Sequence, residues 1–273
     1  MSSWHHRLSN KIPSRIPYFQ HVEYSNSSLR IPYSESIALP GTYEGSLPRI
    51  NAFQESNKDA LITFIIPTIH RITLVDALAS LIHQSDKRWK AILVFDGCLP
   101  DASISSILYD DSRFLYLSVA KTGELMEHTK QTHNKAGRVR NIGMSLVITP
   151  WIGFLDDDDA LRPNYVQALM EEITITPNCD AVLFRMVTPQ HTIVPPANCT
   201  TLSPGFMGIS FCIKTTLFQQ HNIQFEQSDI EDYMMIKKIY DLKRKLVLSP
   251  QVTYLVQRTN YQSSTLLERC VVN

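Results

Sequence analysis

The chain has no long apolar run. Nowhere in its 273 residues does a hydrophobic stretch approach the ~18–20 residues that cross a bilayer, so no membrane span is expected. It has no excess of charge either. Twenty-six basic residues balance 26 acidic ones, which removes the electrostatic footprint of a nucleic-acid binder or of a protein held on an anionic membrane. The first residues, Met1-Ser2-Ser3-Trp4-His5-His6-Arg7, lack the apolar core of a signal peptide. Together these absences predict a cytoplasmic protein with no nucleic-acid partner. Cysteine is scarce. Cys98, Cys179, Cys199, Cys212 and Cys270 are odd in number and include no close-spaced pair, so neither a disulfide framework nor a zinc site is expected and the thiols should be reduced. The sequons Asn26-Ser27-Ser28 and Asn198-Cys199-Thr200 would matter only in a secretory lumen. No internal repeat or low-complexity tract stands out.

What remains is a chain that is 44% hydrophobic, enough for a substantial core. Residues 1–58 are rich in Pro, Ser, Tyr and Asn, with repeated Ile-Pro pairs at Ile12-Pro13, Ile16-Pro17 and Ile31-Pro32. Proline breaks regular structure and restricts the residue before it, so these residues read as an irregular N-terminal arm, and 59–273 as the folded domain. In that domain strands alternate with helices. Leu61–Ile66 is a compact apolar run of the kind buried on both faces of a sheet, ended by Pro67. Thr73-Leu74-Val75-Asp76 resembles a capping box, followed by helical spacing of Leu74, Ala77, Leu78, Leu81 and Ile82. Trp89–Phe95, Phe114–Val119, Trp151–Leu155, Ala181–Val187 and Met207–Ile213 read as further strands, and Leu246–Leu248 and Val252–Val256 as short ones. Helices are expected over Arg138–Ile148, with Val139, Ile142 and Leu146 on one face and Arg140 and Asn141 turned elsewhere, after Pro163, and from Glu231 to about Arg244. The alternation predicts an α/β fold with a mostly parallel central sheet flanked by helices.

The most informative stretch is Trp151-Ile152-Gly153-Phe154-Leu155 running straight into Asp156-Asp157-Asp158-Asp159. Four adjacent carboxylates repel one another. A hard divalent cation such as Mg²⁺ or Mn²⁺, which selects oxygen ligands, removes that conflict. The simpler reading is a solvated acidic turn, but the apolar strand before the run and Pro163 after it favour a site at a strand's carboxyl end, where open α/β sheets bind ligands. Three strands end at a polar switch: Pro67-Thr68, Asp96-Gly97 and the aspartate run. In a parallel sheet those ends share one edge.

In this order the motifs Ile65-Ile66-Pro67-Thr68, Val94-Phe95-Asp96-Gly97-Cys98, Arg140-Asn141-Ile142-Gly143, Phe154-Leu155-Asp156-Asp157-Asp158-Asp159 with Pro163, and Glu231-Asp232 resemble a family 2 glycosyltransferase of the GT-A fold. The resemblance spans about residues 60–245. It implies an inverting, metal-dependent transfer of a sugar from a nucleotide-sugar donor, a UDP-sugar by preference, to a hydroxyl of a saccharide or glycoconjugate acceptor. Pro67 and Thr68 would line the nucleotide pocket, Asp96 would accept a hydrogen bond from the base, and Arg140 would lie beside the nucleoside. The aspartate run matches the family's Asp-x-Asp motif, with Asp156 contacting the donor and Asp158 and Asp159 holding Mn²⁺ or Mg²⁺. Asp156 with Asp158, or the pair Asp158 and Asp159, both fit the motif. Asp232 matches the catalytic base, with Glu231 beside it as the second catalytic candidate. Phe95, Ile69 and His70 depart from the family, which often has an acid at the first position and Tyr and Asn at the other two.

Each residue also has a plainer reading. Asp232 and Glu231 suit a helix N-terminus, Asp96 a turn, and Arg140 a surface. His128 and His133, with Lys121, Lys130, Lys135 and Arg138, read as a solvated basic loop rather than a diphosphate cover, and Gln257 and Arg258 as a weak candidate for a further ligand or phosphate contact. Other functions are a nucleotide-holding module without turnover, suggested by Phe95, a sugar-phosphate nucleotidyltransferase, and a doubly wound scaffold. The second would want a glycine-rich phosphate loop where the chain has Pro67-Thr68-Ile69-His70-Arg71. The third leaves Glu231-Asp232 unexplained.

Overall fold

The computed structural model describes residues 22–24, 27–29, 50–121, 136–199, 207–226, 228 and 230–257. Two short strands, β1 (Val22–Tyr24) and β2 (Ser27–Leu29), pair antiparallel with each other. All other strands among the described residues join one sheet in the order β5-β4-β3-β6-β10-β8-β11-β7, with β9 (Ile193–Val194) beside β8.

Half of this sheet is parallel. β3 (Ile62–Thr68) lies between β4 (Trp89–Asp96) and β6 (Trp151–Phe154), and β5 (Phe114–Val119) lies outside β4. β3 is buried along its whole length, because α2 (Leu74–Ile82) and α4 (Ala136–Met144) supply the crossovers that cover a parallel sheet. α4 lies close enough that a Cβ on Gly143 would come within 2.7 Å of Ile65 and 3.2 Å of Val94. α3 (Ala102–Asp110) packs on β5, its first turn closed by the Asp101 carboxylate accepting from the Ile104 amide at 2.9 Å.

The other half is mixed. β10 (Phe211–Lys214) runs antiparallel to both β6 and β8 (Ala181–Val187), β11 (Leu246–Val256) is parallel to β8, and β7 (Asp159–Leu161) is antiparallel to β11. The parallel expectation holds where helices make the crossovers and fails at β10, which enters the sheet against its neighbours before α6 (Thr215–His221). α5 (Tyr165–Ile175) and α7 (Glu231–Asp241) complete the layers. Tyr165 stacks on Phe64 and Phe184 at centroid distances of 5.3 and 4.7 Å, tying α5 to both halves of the core.

Several local expectations are corrected. Pro67 does not end its strand. β6 stops pairing at Ile65, so the proline's missing N–H faces a side with no ladder left to make. Thr73 forms no capping box. Its backbone is already helical (φ −70°, ψ −14°), so its hydroxyl closes no turn. Met207–Ile213 is strand only from Phe211. The two short C-terminal strands are one, β11, whose pairing slips between Leu248 and Val252, around Pro250. Helical residues 50–55 (α1) place Ile50 and Phe53 in the core. The Lys90 ammonium, buried inside β4, donates to the carbonyls of Phe53 at 2.6 Å and Gln54 at 3.2 Å, and burial lowers its pKa.

Candidate active site

Because β4, β3 and β6 run side by side in one direction, their carboxyl ends open on a single edge. That edge carries Asp96, Thr68 and the aspartate run. The turn after β4 reverses through Gly97 at φ +74°, where a Cβ would come within 2.5 Å of Lys121, so glycine is required there. The charges of Asp96 and Asp157 both act on Cys98, whose pKa is raised first by burial and then by them. Cys98 thus lies within electrostatic reach of both Asp96 and the run.

The four aspartates take different directions. Asp157 is buried and turns back toward β3, where the Thr68 hydroxyl donates to it at 2.7 Å, and burial raises its pKa. Asp156, Asp158 and Asp159 bring one carboxylate oxygen each within 4.8 Å of one another. Asp159 opens β7 opposite Val256, so β11 fixes its position. It accepts from the Gln257 amide and from the Tyr254 hydroxyl, each at 3.0 Å, and the same hydroxyl accepts from the Asp156 amide at 3.2 Å. Burial, then the charge of Asp156, pushes Asp159 up to about 7. Three hard oxygen donors crowded at mutual cost are the donor set a divalent cation requires. The residues fit such an ion: Asp158 and Asp159 would hold it, with the Asp156 carboxylate, already paired with Arg140, at the cluster's edge.

Arg140 links this cluster to the last helix. One guanidinium nitrogen pairs with Asp156 at 2.5 Å and another with Glu231. Arg140 is 3% exposed and Glu231 3% exposed. Burial works against the Arg140 charge, but Asp156, Asp232 and Glu231 outweigh it and raise its pKa. Asp232, at the start of α7, thus lies within electrostatic reach of the guanidinium that holds Asp156. Glu231 also accepts from the Gly137 amide at 3.0 Å; a Cβ on Gly137 would come within 2.5 Å of that oxygen. Burial pushes Glu231 up to about 7, with Arg140 opposing and Asp232 reinforcing.

Arg140 and Asn141, set off the face of Val139, Ile142 and Leu146, do not lie on the surface, the plainer reading of Arg140. Both are buried, because both find partners. The Asn141 amide donates to the Phe225 carbonyl and accepts from the Phe225 amide, each at 2.9 Å, clasping the segment that leads into α7. Replacing Asn141 by alanine strands two buried backbone groups and should cost about 2–4 kcal/mol, read as a lower urea midpoint with an unchanged slope.

Two residues of this edge escaped sequence reasoning as site members. Tyr254 lies in an apolar strand pattern that gives no sign of its hydroxyl's partners. Arg71 pairs through Nη1 with Asp157 at 3.1 Å and Asp158 at 2.5 Å; four residues after Pro67, it was legible only as part of a loop lacking glycine. Gln257 reaches Asp159 through its backbone alone. Arg258, His128, His133, Lys130, Lys135 and Cys270 lie outside the described residues. Cys98, Cys179, Cys199 and Cys212 are free thiols. No helix among the described residues is long and apolar enough to cross a membrane.

Residues 63–228 match the sequence pattern of Glycosyl transferase family 2. The chain belongs to this glycosyltransferase family. An uncharacterized glycosyltransferase of Haemophilus influenzae is 25% identical over 147 residues, which cover 54% of this chain and 42% of that protein. One from Rickettsia felis is 31% identical over 111 residues, 40% of this chain and 16% of that protein. The chain thus aligns with less than half the length of these relatives. Among solved structures, residues 1–349 of S. aureus TarS in complex with UDP-GlcNAc superpose with a TM-score of 0.59 at 16% identity, covering 75% of this chain and 61% of that one. The mannosyltransferase PcManGT from Pyrobaculum calidifontis, in complex with GDP-Man and Mn²⁺, gives 0.55 at 10% identity, covering 79% and 64%. At such identities these structures establish the fold, which is GT-A-like.

Proposed function

We propose that this glycosyltransferase domain transfers a sugar from a UDP-sugar to a hydroxyl of a saccharide or glycoconjugate acceptor, with inversion at the anomeric carbon and with Mn²⁺ or Mg²⁺ bound. The observation that carries the reading is the gathering of Asp156, Asp158 and Asp159 at the carboxyl edge of β4, β3 and β6, joined through Arg140 to the start of α7. A bound divalent cation would offset the negative charge that develops on the diphosphate as the sugar leaves. Asp158 and Asp159 would hold it, with Asp156 shared between Arg140 and the donor. Thr68, Pro67 and Asp96 would line the nucleoside side of the edge.

The acceptor oxygen attacks the anomeric carbon as the bond to the diphosphate oxygen breaks, and its proton passes to the Asp232 carboxylate. Glu231 suits that role less well than its place beside Asp232 suggested. Its two oxygens are engaged by Arg140 and the Gly137 amide, out of solvent, so it serves to position Arg140 and the start of α7. Arg140, buried between two acids, acts on the donor through Asp156 rather than by lying against a base. Inversion is the outcome that one displacement assisted by a single general base would give. Phe95, the departure that suggested a non-catalytic module, is 0% exposed and packs against Tyr116 and His70, so it belongs to the core rather than to the pocket. A nucleotide-sugar donor is supported by the complexes of TarS with UDP-GlcNAc and of PcManGT with GDP-Man, and we take a UDP-sugar as the donor to test first. The test is a panel of UDP- and GDP-sugars with Mn²⁺, reading release of the nucleoside diphosphate. Turnover of a UDP-sugar is expected; nucleotide binding without turnover across the panel, or pyrophosphate release from UTP and a sugar phosphate, would overturn the proposal.

A further inference from the structure

Arg71 stands where two charges would compete. It follows β3 on the loop that crosses the aspartate run, and both of its ion pairs leave from one nitrogen, Nη1, toward Asp157 and Asp158. Its side chain is 42% exposed, against 4% for Arg140. Arg140 is locked, while Arg71 can leave the cluster without opening the core. The bond to Asp158 uses a carboxylate of the triad; the bond to Asp157 uses one that the Thr68 hydroxyl already holds.

Resting on the reading of the site as a cation-dependent donor pocket, we propose that Arg71 is an exchangeable counter-charge: it neutralises Asp158 while the triad is empty, gives Asp158 up when a divalent cation is held there, and then pairs with the diphosphate of the donor. Two considerations favour an exchange of this kind. While Arg71 holds one Asp158 oxygen at 2.5 Å, only the other oxygen is open to a cation, so the guanidinium and the ion share one carboxylate. A guanidinium beside a new dication is repelled unless an anion arrives with it, and a planar fork suits the paired oxygens of a diphosphate. Arg71 is thereby a donor-binding residue that couples cation binding to donor binding, and by linkage each of these should strengthen the other.

The exchange predicts opposite signs for two affinities, which a structural role would move together. In Arg71→Ala, Mn²⁺ alone should bind about fivefold tighter, the worth of one partly exposed ion pair with which the cation no longer competes. UDP in the presence of saturating Mn²⁺ should bind about tenfold more weakly, the worth of a charge-assisted contact. Arg71→Lys should recover part of both. Calorimetric titration with MnCl₂, then with UDP, reads the two affinities on the full chain, and far-ultraviolet dichroism confirms the fold. Weaker or unchanged Mn²⁺ binding in Arg71→Ala, with wild type binding Mn²⁺ normally, overturns the exchange and leaves the cation site standing. A wild-type protein that binds no divalent cation overturns both.

Discussion

Asp232→Asn should lower kcat by about a thousandfold, the contribution of a single general base, while the KM for the donor moves little. Asparagine keeps the size and hydrogen-bonding reach of the side chain but cannot accept the acceptor's proton at neutral pH. The fold should suffer little. Asp232 repels Glu231 but attracts the buried Arg140 guanidinium, so removing its charge eases the ionisation of Glu231 while giving up part of the field that holds Arg140, and the two effects oppose each other. Glu231→Gln should behave differently. It removes the charge opposite a buried guanidinium and weakens the bond to the Gly137 amide, so thermal stability, donor KM and kcat should all worsen together. Paired kinetics and melting curves separate the two. Equal losses of kcat and stability in Asp232→Asn would move the base elsewhere.

Much of this arrangement can be read from the chain, for identifiable reasons. β3, β4 and β6 are apolar on both faces and stop at polar switches, so their spans and shared edge follow from local pattern and the logic of parallel sheets. What pattern does not convey is pairing at a distance. Asp159 is not the tail of an acidic loop but the first residue of a three-residue strand, and what makes it a strand is Val256, almost a hundred residues later. Tyr254 is fixed by the same pairing and so arrives under the run, where its hydroxyl serves two acids. Arg140 misleads for the opposite reason. A charged residue on a helix reads as exposed, and only Asp156 and Glu231, from two other elements, make its burial tolerable. His70 is intermediate. Its departure from the family's usual asparagine is visible in the chain, but its left-handed backbone at φ +63°, with its amide bound to the Thr68 hydroxyl at 2.8 Å, is not.

The Asp158→Ala, Asp159→Ala double variant should abolish Mn²⁺ binding and reduce transfer by at least about ten-thousandfold, since the leaving diphosphate would lose its cation. The same variant should lose little stability in chelator, because the charge relieved at Asp159 offsets the bonds given up from the Tyr254 hydroxyl and the Gln257 amide, and this second result separates a functional cluster from a structural one. Asp159 rises from 3.8 to about 7 in the folded protein. A carboxylate raised in this way favours folding below its unfolded value near 4, and that contribution disappears as pH climbs toward 7. At neutral pH the cation-free cluster is therefore held at a cost that deleting Asp159 relieves. Loss of Asp158 acts in the same direction on its neighbours, because its charge contributes to raising both Asp157 and Asp159. The wild-type response to pH follows from the same group. Below about 7 a cation must displace the proton on Asp159, so Mn²⁺ affinity should weaken as pH falls from 7.5 to 5.5, and titrations at several pH values read the slope. A double variant that melts well below wild type in chelator, with Mn²⁺ affinity independent of pH, would make these aspartates a scaffold for the β6–β7 turn and not a cation site.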